Sequence, residues 1–285
     1  MSAGIVGKIK INKYDDIVGG ISDSVTEIDI SELHDFKDHP FRVLDDEKME
    51  ETVESIKKYG VLMPGIVRPR AEGGYEIISG HRRKHACELA GKTKMPVFVK
   101  DYADDEATVI MVDSNIQRED ILPSEKAIAY EMKYLALKHQ GKKGNHTALN
   151  EMADSAGESS KTIQRYIWLA RLIRPLLEAV DNRKISFVCG VDISFIGEKE
   201  QEWILHAIGD GAGMTTSQSA QIKEYFKTGE LTETLVRHIL LGEKQKIKRI
   251  VIKTEKLSKY FDENVSAEEM EKTIMDALEE YMTKR

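Results

Sequence analysis

The sequence predicts an α+β chain in three parts: a small mixed α/β domain, an all-α domain, and a short strand–helix module at the end. Three observations carry this. Short strand-like runs alternate with helical ones between residues 26 and 119. From Ser124 to about Phe226 helical periodicity replaces them. Residues 248–253 (KRIVIK) then alternate like a strand ahead of a capping-box helix. The expected division is 1–23 as a tail, 24–119 as the mixed domain, 120–243 as the helical domain and 244–285 as the terminal module. A chain of 285 residues is long enough for several such cores.

Each element has its own signal. In the mixed domain, TEIDISEL from Thr26 reads as a strand at a sheet edge. Asp45, Asp46 and Glu47 then put negative charge on the first turn of a helix whose Met49, Val53 and Ile56 recur at helical spacing. Lys57 and Lys58 close it, and Gly60 supplies the terminating residue. VLMPGIVRP is an apolar run broken by Pro64, the turn Glu72-Gly73-Gly74 follows, and residues 75–78 (YEII) read as a strand. A helix follows Ser79-Gly80, with Ala86, Leu89 and Ala90 as a narrow apolar face and Gly91 at its end, and residues 95–99 read as another strand. Pro123 is suited to open the first helix of the helical domain. In the last module, Ser266 with Glu269 starts a helix that carries Met270, Ile274, Leu278 and Tyr281 on one side.

Composition bounds the function. The 41% apolar share supports real cores, and no apolar run reaches membrane length. The opening residues lack the apolar centre of a secretory signal, so a soluble intracellular protein is expected. Cys87 and Cys189 read as reduced core thiols. The net charge of −7 is unevenly spread: residues 1–60 hold eight Lys and Arg against fourteen Asp and Glu, whereas residues 120–180 hold nine against seven. The second balance permits local contact with phosphates. The histidines show no metal-ligand spacing, which disfavours a zinc role.

Gly80-His81-Arg82-Arg83 joins a strand to the start of a helix. Free N–H groups there attract anions, glycine permits close approach, and arginine forks add fixed positive charge. An arginine pair at a helix start is also commonly just solvated. Three segments taken together are more specific: GVLMPGIVRP (60–69), GHRRKHA (80–86) and DSNIQREDILPS (113–124) resemble, in order and spacing, the nucleotide motifs of ParB/Spo0J-type partition proteins. The resemblance extends over roughly residues 36–200.

It implies a pocket for CTP with Mg2+, and a clamp of two subunits that closes on DNA. Gly80, His81, Arg82, Arg83 and Ala86 would cradle the phosphates, Gly60, Val61, Met63 and Arg68 would line the base and sugar side, Asn115 would help hold the magnesium ion, and Arg118 and Glu119 would sit at the moving junction. Two positions depart from the pattern. Ser114 stands where the family usually has Glu, with Asp113 one residue earlier as a possible stand-in, and Met63 stands where many members have Gln. Nucleotide binding is therefore expected, and slow CTP hydrolysis is left open. The same small fold resembles sulfiredoxin, but Gly80 occupies the place of its reactive Cys, and Cys87 falls on the following helix.

Residues 147–171 carry a helix-turn-helix pattern: Leu149, Met152 and Ala153 face inward, Gly157 makes the turn, and Ile163, Ile167 and Ala170 return to the core. Ser160, Lys161, Thr162, Gln164 and Arg165 are left as candidates for DNA contact, with Lys142 and Lys143 as phosphate partners. An ordinary helical hairpin and a solvated lysine loop are the plainer alternatives. Trp168 and Trp203 lie in apolar stripes and read as core anchors.

The expected partners are double-stranded DNA with a short specific site and a second copy of the chain, paired through residues 244–285; that module could instead pack on its own helical domain. The resemblance adds a ParA-type ATPase, touched through Lys8 or Lys10, and a cytoplasmic location on a nucleoid or plasmid; no membrane is expected. Two rivals stand beside this: a helix-turn-helix transcriptional regulator whose first domain uses no nucleotide, and a small-molecule kinase with Glu76 or Glu119 as base.

Overall fold

The computed structural model describes residues 24–118, 120–140, 145–242, 257, 259–261 and 265–283. The predicted tail with Lys8 and Lys10, Glu119, Lys142, Lys143 and the strand expected at 248–253 lie outside the described residues. The chain divides into two compact units, 1–243 and 244–285.

Five strands form one sheet: β1 (Val25–Asp29), β2 (Leu33–His34), β3 (Gly65–Pro69), β4 (Tyr75–Ser79) and β5 (Lys94–Val99), in the order β1-β5-β3-β4-β2. β1–β5 and β3–β4 pair antiparallel, β3–β5 and β2–β4 parallel, and the β3–β4 register shifts between Ile66 and Val67. The stretch read as one strand, TEIDISEL, is thus two. A 3-10 turn over Ile30–Glu32 separates β1 from β2, and they occupy opposite edges of the sheet.

Helix α1 (Glu47–Tyr59) follows its local signals: Asp46 caps it by accepting the Met49 N–H at 2.9 Å, Lys57 and Lys58 fill its last turn, and Met49, Val53 and Ile56 are buried. Helix α2 (His81–Leu89) buries His81, Ala86 and Cys87, and Ala90 just past its end packs against the same core, as expected of Ala86 and Ala90 but not of Leu89. Leu89 is 51% exposed, because the helix ends there and its inner face has already rotated past. Both helices share a core with Ile28, Val67, Ile77, Met95 and Val97 on one face of the sheet.

The opposite face holds Ile66 and Ile78, packed with Phe36, Phe41 and helix α3 (Asp104–Asn115) through Ala107, Ile110 and Met111. Covered on both sides, β3 and β4 read as continuous apolar runs and not as alternating ones. Ala129 of helix α4 (Pro123–His139) joins the same core, so the strand-bearing and helical halves share buried surface. A polar tie reinforces this: Glu125 accepts from the Leu122 N–H (3.0 Å) and the Arg42 N–H (2.8 Å), while Asp181 accepts from the Ser124 N–H (2.9 Å) and hydroxyl (2.6 Å) and pairs with Arg42 (3.2 Å).

The helical half continues with α5 (Asn145–Ala156), α6 (Ser160–Leu169), α7 (Arg174–Asp181), α8 (Phe187–Ile193), α9 (Glu198–Gly209), α10 (Thr216–Thr228) and α11 (Glu233–Leu241). Their core includes Leu169, Leu176, Ile193, Ile204, Ile222 and Val236, with Trp168 and Trp203 packed half-buried against it. In the second unit, α12 (Ala267–Thr283) starts at the expected capping box, where the Ser266 hydroxyl accepts the Glu269 N–H at 3.3 Å. Met275, Leu278 and Tyr281 are exposed on this helix. No helix among the described residues is long and apolar enough to cross a membrane.

Candidate functional site

The corner between β4 and α2 is built by two glycines. Gly80 has φ +122°, and a Cβ there would lie 3.3 Å from the Gly65 Cα and 3.4 Å from the Arg83 guanidinium. Backbone geometry and space therefore both call for glycine. No side chain caps α2, and the Lys84 N–H closes the first turn onto the Gly80 carbonyl at 2.9 Å.

Arg82 and Arg83 leave this corner in different directions. Arg82 donates to Asp46 at 2.9 Å, and that contact is the main reason the Asp46 carboxyl sits below the usual carboxylate range. Arg83 donates to the carbonyls of Met63 (2.5 Å) and Pro64 (2.6 Å), so it anchors the approach to β3. His81, only 7% exposed, accepts the Phe36 N–H on Nε2 at 3.2 Å and stacks on His39 at 3.7 Å. Burial pushes His81 down to about 3 and His39 to about 4, so both rings are neutral at pH 7. A cavity of about 490 Å3 opens beside them, lined by Asp35, Phe36, His39, His81, Lys84 and His85 among others.

Among the other predicted nucleotide residues, Arg68 and Ala86 are engaged within the protein. Arg68 is bound by Glu76 (2.6 Å), Asp104 (2.6 Å) and the Tyr102 carbonyl (3.2 Å). Glu76 is buried and also accepts the Lys37 N–H at 3.0 Å, which removes it as the free base a kinase would need. Ala86 is fully buried in the core, Val61 packs against that core, Gly60 terminates α1 at φ +74°, and Met63 is 51% exposed. Arg118 is close enough to His39 to contribute, through its charge, to the lowered pKa.

In the third motif the possible stand-in for the family's Glu, Asp113, is engaged by another charge. Asp113 pairs with Lys133 at 2.5 Å, and Ser114 donates to the Met111 carbonyl at 3.0 Å. The Asn115 amide nitrogen donates to the same carbonyl at 2.9 Å, leaving its oxygen. One amide oxygen and one hydroxyl do not fit a protein-held Mg2+, which favours carboxylates. Among the described residues no group of three or more His, Cys, Asp or Glu is placed to hold a metal.

In the helical half, Gly157 at φ +68° turns α5 into α6, and Ser159 caps α6 by accepting the Thr162 N–H at 3.1 Å. Ala148, Leu149, Met152, Ala153, Ile163 and Ile167 form one core with Tyr130 and Leu137 of α4. Of the candidate contact residues Lys161 is exposed, and Ser160, Thr162, Gln164 and Arg165 are half-buried. Ser160 donates to Asn150 at 2.8 Å, the Thr162 and Ser159 hydroxyls are 2.8 Å apart, and the Arg165 guanidinium lies 5.2 Å from the centre of the Phe187 ring.

Residues 14–116 match the family of the ParB N-terminal domain. The chain carries a ParB N-terminal domain. It is 36% identical over 169 residues to the probable chromosome 1-partitioning protein ParB of Deinococcus radiodurans, covering 59% of this chain and 54% of that protein. To a nucleoid occlusion protein of Halalkalibacterium halodurans it is 33% identical over 168 residues, covering 59% and 56%. The chain thus spans little more than half the length of these curated relatives. A solved structure, the C-terminally truncated chromosome-partitioning protein ParB from Caulobacter crescentus complexed to the centromeric parS site, is 22% identical, with 70% of this chain and 98% of that chain covered and a TM-score of 0.43. Within the ParB N-terminal domain lie the Gly80 corner, α2 and α3 up to Asn115.

Two residues that matter to this arrangement were not singled out from the sequence. In the sequence Asp46 reads as first-turn charge; in the structure it also holds Arg82. Lys133 stands three or four residues from Ala129, Tyr130, Ala136 and Leu137, in the middle of an apolar helical stripe. That spacing was the available signal.

Proposed function

We propose that this chain acts as a ParB-family DNA-binding protein of the chromosome- or plasmid-partition class, working as a homodimer on a short specific site. Helices α5 and α6 form the reading element, with Lys161, Thr162, Gln164 and Arg165 turned to the duplex and Ser160 holding α6 to Asn150. CTP binds at the Gly80–Arg83 corner and changes how two protomers grip DNA. The protein works in the cytoplasm, on the nucleoid or a plasmid.

The observation that carries the reading is the corner itself: an uncapped helix start, a glycine at a φ that side chains rarely adopt, and an arginine already engaged with an anionic oxygen. A terminal phosphate would take the place of the Asp46 carboxylate on Arg82. His81, neutral and bound to the Phe36 N–H, ties the segment before α1 to the same helix start. Magnesium would travel with the phosphates. Pairing of two copies is supported by the exposed Met275, Leu278 and Tyr281 of α12, a helix too small to bury them by itself. A ParA-type ATPase is a further partner, reached through the residues before the ParB N-terminal domain.

The test is calorimetry on the full chain. Arg82→Ala is expected to abolish CTP binding while specific DNA binding persists; a variant that binds CTP like the parent removes the corner from the site. One observation favours the rival regulator without nucleotide: Asp46 already neutralises Arg82. That reading requires DNA affinity indifferent to added CTP.

A further inference from the structure

Lys133 is the one buried Lys or Arg among the described residues, at 3% exposure. Its ammonium, on α4, meets Asp113 of α3 at 2.5 Å and the Ser155 hydroxyl of α5 at 2.8 Å. Gln117, just past α3, adds a bond to the Ser155 carbonyl at 3.2 Å. Three helices from both halves of the unit thus converge on one buried charge.

Helix α3 is also tied to the corner. Its first residue, Asp104, pairs with Arg68 of β3, and Ile110 and Met111 share a core with Ile66 of β3 and Ile78 of β4. Those two strands lead directly to Gly65 and Gly80, whose close approach forms the corner. On the other side, α5 is the helix that positions α6 across their common core. The corner is therefore connected to α3, and α3 to α5 through Lys133.

We propose that Lys133 is a positioning residue, and that the Asp113–Lys133–Ser155 contact is a releasable latch through which occupancy of the corner sets the placement of α5 and α6. This rests on the nucleotide reading above. A buried ion pair suits a latch because intermediate separations leave both charges without partner and without water, so joined and fully hydrated states are favoured over anything between. The second tie, Lys126 to Glu158 at 2.7 Å, is more exposed and sits at the turn before α6.

The experiment is hydrogen exchange on the full chain, with and without saturating CTP, with calorimetry on the same samples. In the parent, CTP is expected to change exchange across residues 145–156. In the double variant Lys133→Met/Asp113→Leu, CTP still binds but that change disappears, whereas Lys126→Met keeps it. Ser155→Ala, a milder substitution, is expected to shrink the change and decides the matter if the double variant fails to fold. An undiminished change in the double variant, or in Ser155→Ala, overturns the latch. So does a parent that binds CTP with no change over α5, which leaves the nucleotide site standing. A parent that gives no heat with CTP removes the nucleotide reading and the latch together.

Discussion

Two cation–carboxylate pairs show how one chemistry is put to different uses by burial. At the corner, Arg82 and Asp46 meet at 2.9 Å with side-chain exposures of 23% and 42%. At the junction of the two halves, Lys133 and Asp113 meet at 2.5 Å with exposures of 3% and 13%. Water can replace either partner of the first pair, which is what the proposed exchange of the carboxylate for a phosphate requires. The second has no such substitute, and its cost or benefit falls on the fold itself.

The sharpest way to break this contrast is Lys133→Met alone, which strands the Asp113 carboxylate inside the protein. Stability should fall by about 3–5 kcal/mol, and the double variant with Asp113→Leu should recover most of it. Denaturant midpoints of the single and double variants check both. Equal losses in the two would mean that the charges contribute nothing specific.

Acid should act on the other buried polar feature, the His39–His81 stack. Both histidines have pKa values lowered by burial, to about 4 and about 3, against 6.5 when unfolded. Between these limits the unfolded chain binds more protons than the folded one, so stability is fully present above pH 6.5 and is lost as the pH falls toward 4. The limiting slope is about 1.4 kcal/mol per pH unit for each ring. Urea titrations at stepped pH measure it, and His39→Phe should remove one ring's share. A flat profile from pH 6.5 to 5 would show that the rings titrate normally.

Effects at exposed positions should be smaller. Arg165→Ala is expected to weaken specific DNA binding by about 1–3 kcal/mol if the guanidinium reaches a base. Competition between a selected duplex and random DNA tests it, and unchanged discrimination would leave Arg165 to its contact with Phe187. The smallest effect belongs to Asp46→Asn. Asparagine retains the capping oxygen for α1 but loses the charge that competes for Arg82, so CTP affinity should rise by a factor of about two to five. A fall in affinity would make Asp46 part of the nucleotide site and not its competitor.

Elements with agreeing local signals were legible in the sequence. The helix from Asp46 to Gly60, the glycine turn at 157 and the capped start at Ser266 each depend on a few neighbouring residues, and each appears in place. What long-range contacts decide was not legible. The β1 and β2 strands look like one run because edge pairing with β5 on one side and β4 on the other is invisible locally. The corner's residue types were legible from Gly80-His81-Arg82-Arg83, since a helix start needs no distant partner to attract anions. Their engagement was not: Asp46, Met63 and Pro64 reach the arginines across 19 to 36 positions of sequence. The same limit explains Asp113, which reads as a spare carboxylate until α4 brings Lys133 against it.

The most direct measurement is calorimetric titration of the full chain with cytidine, CMP and CTP under one set of conditions. A phosphate-binding corner requires affinity to climb with each added phosphate, with cytidine giving no heat and Arg82→Ala flattening the series. Equal affinity for all three, or no binding by any, would contradict it.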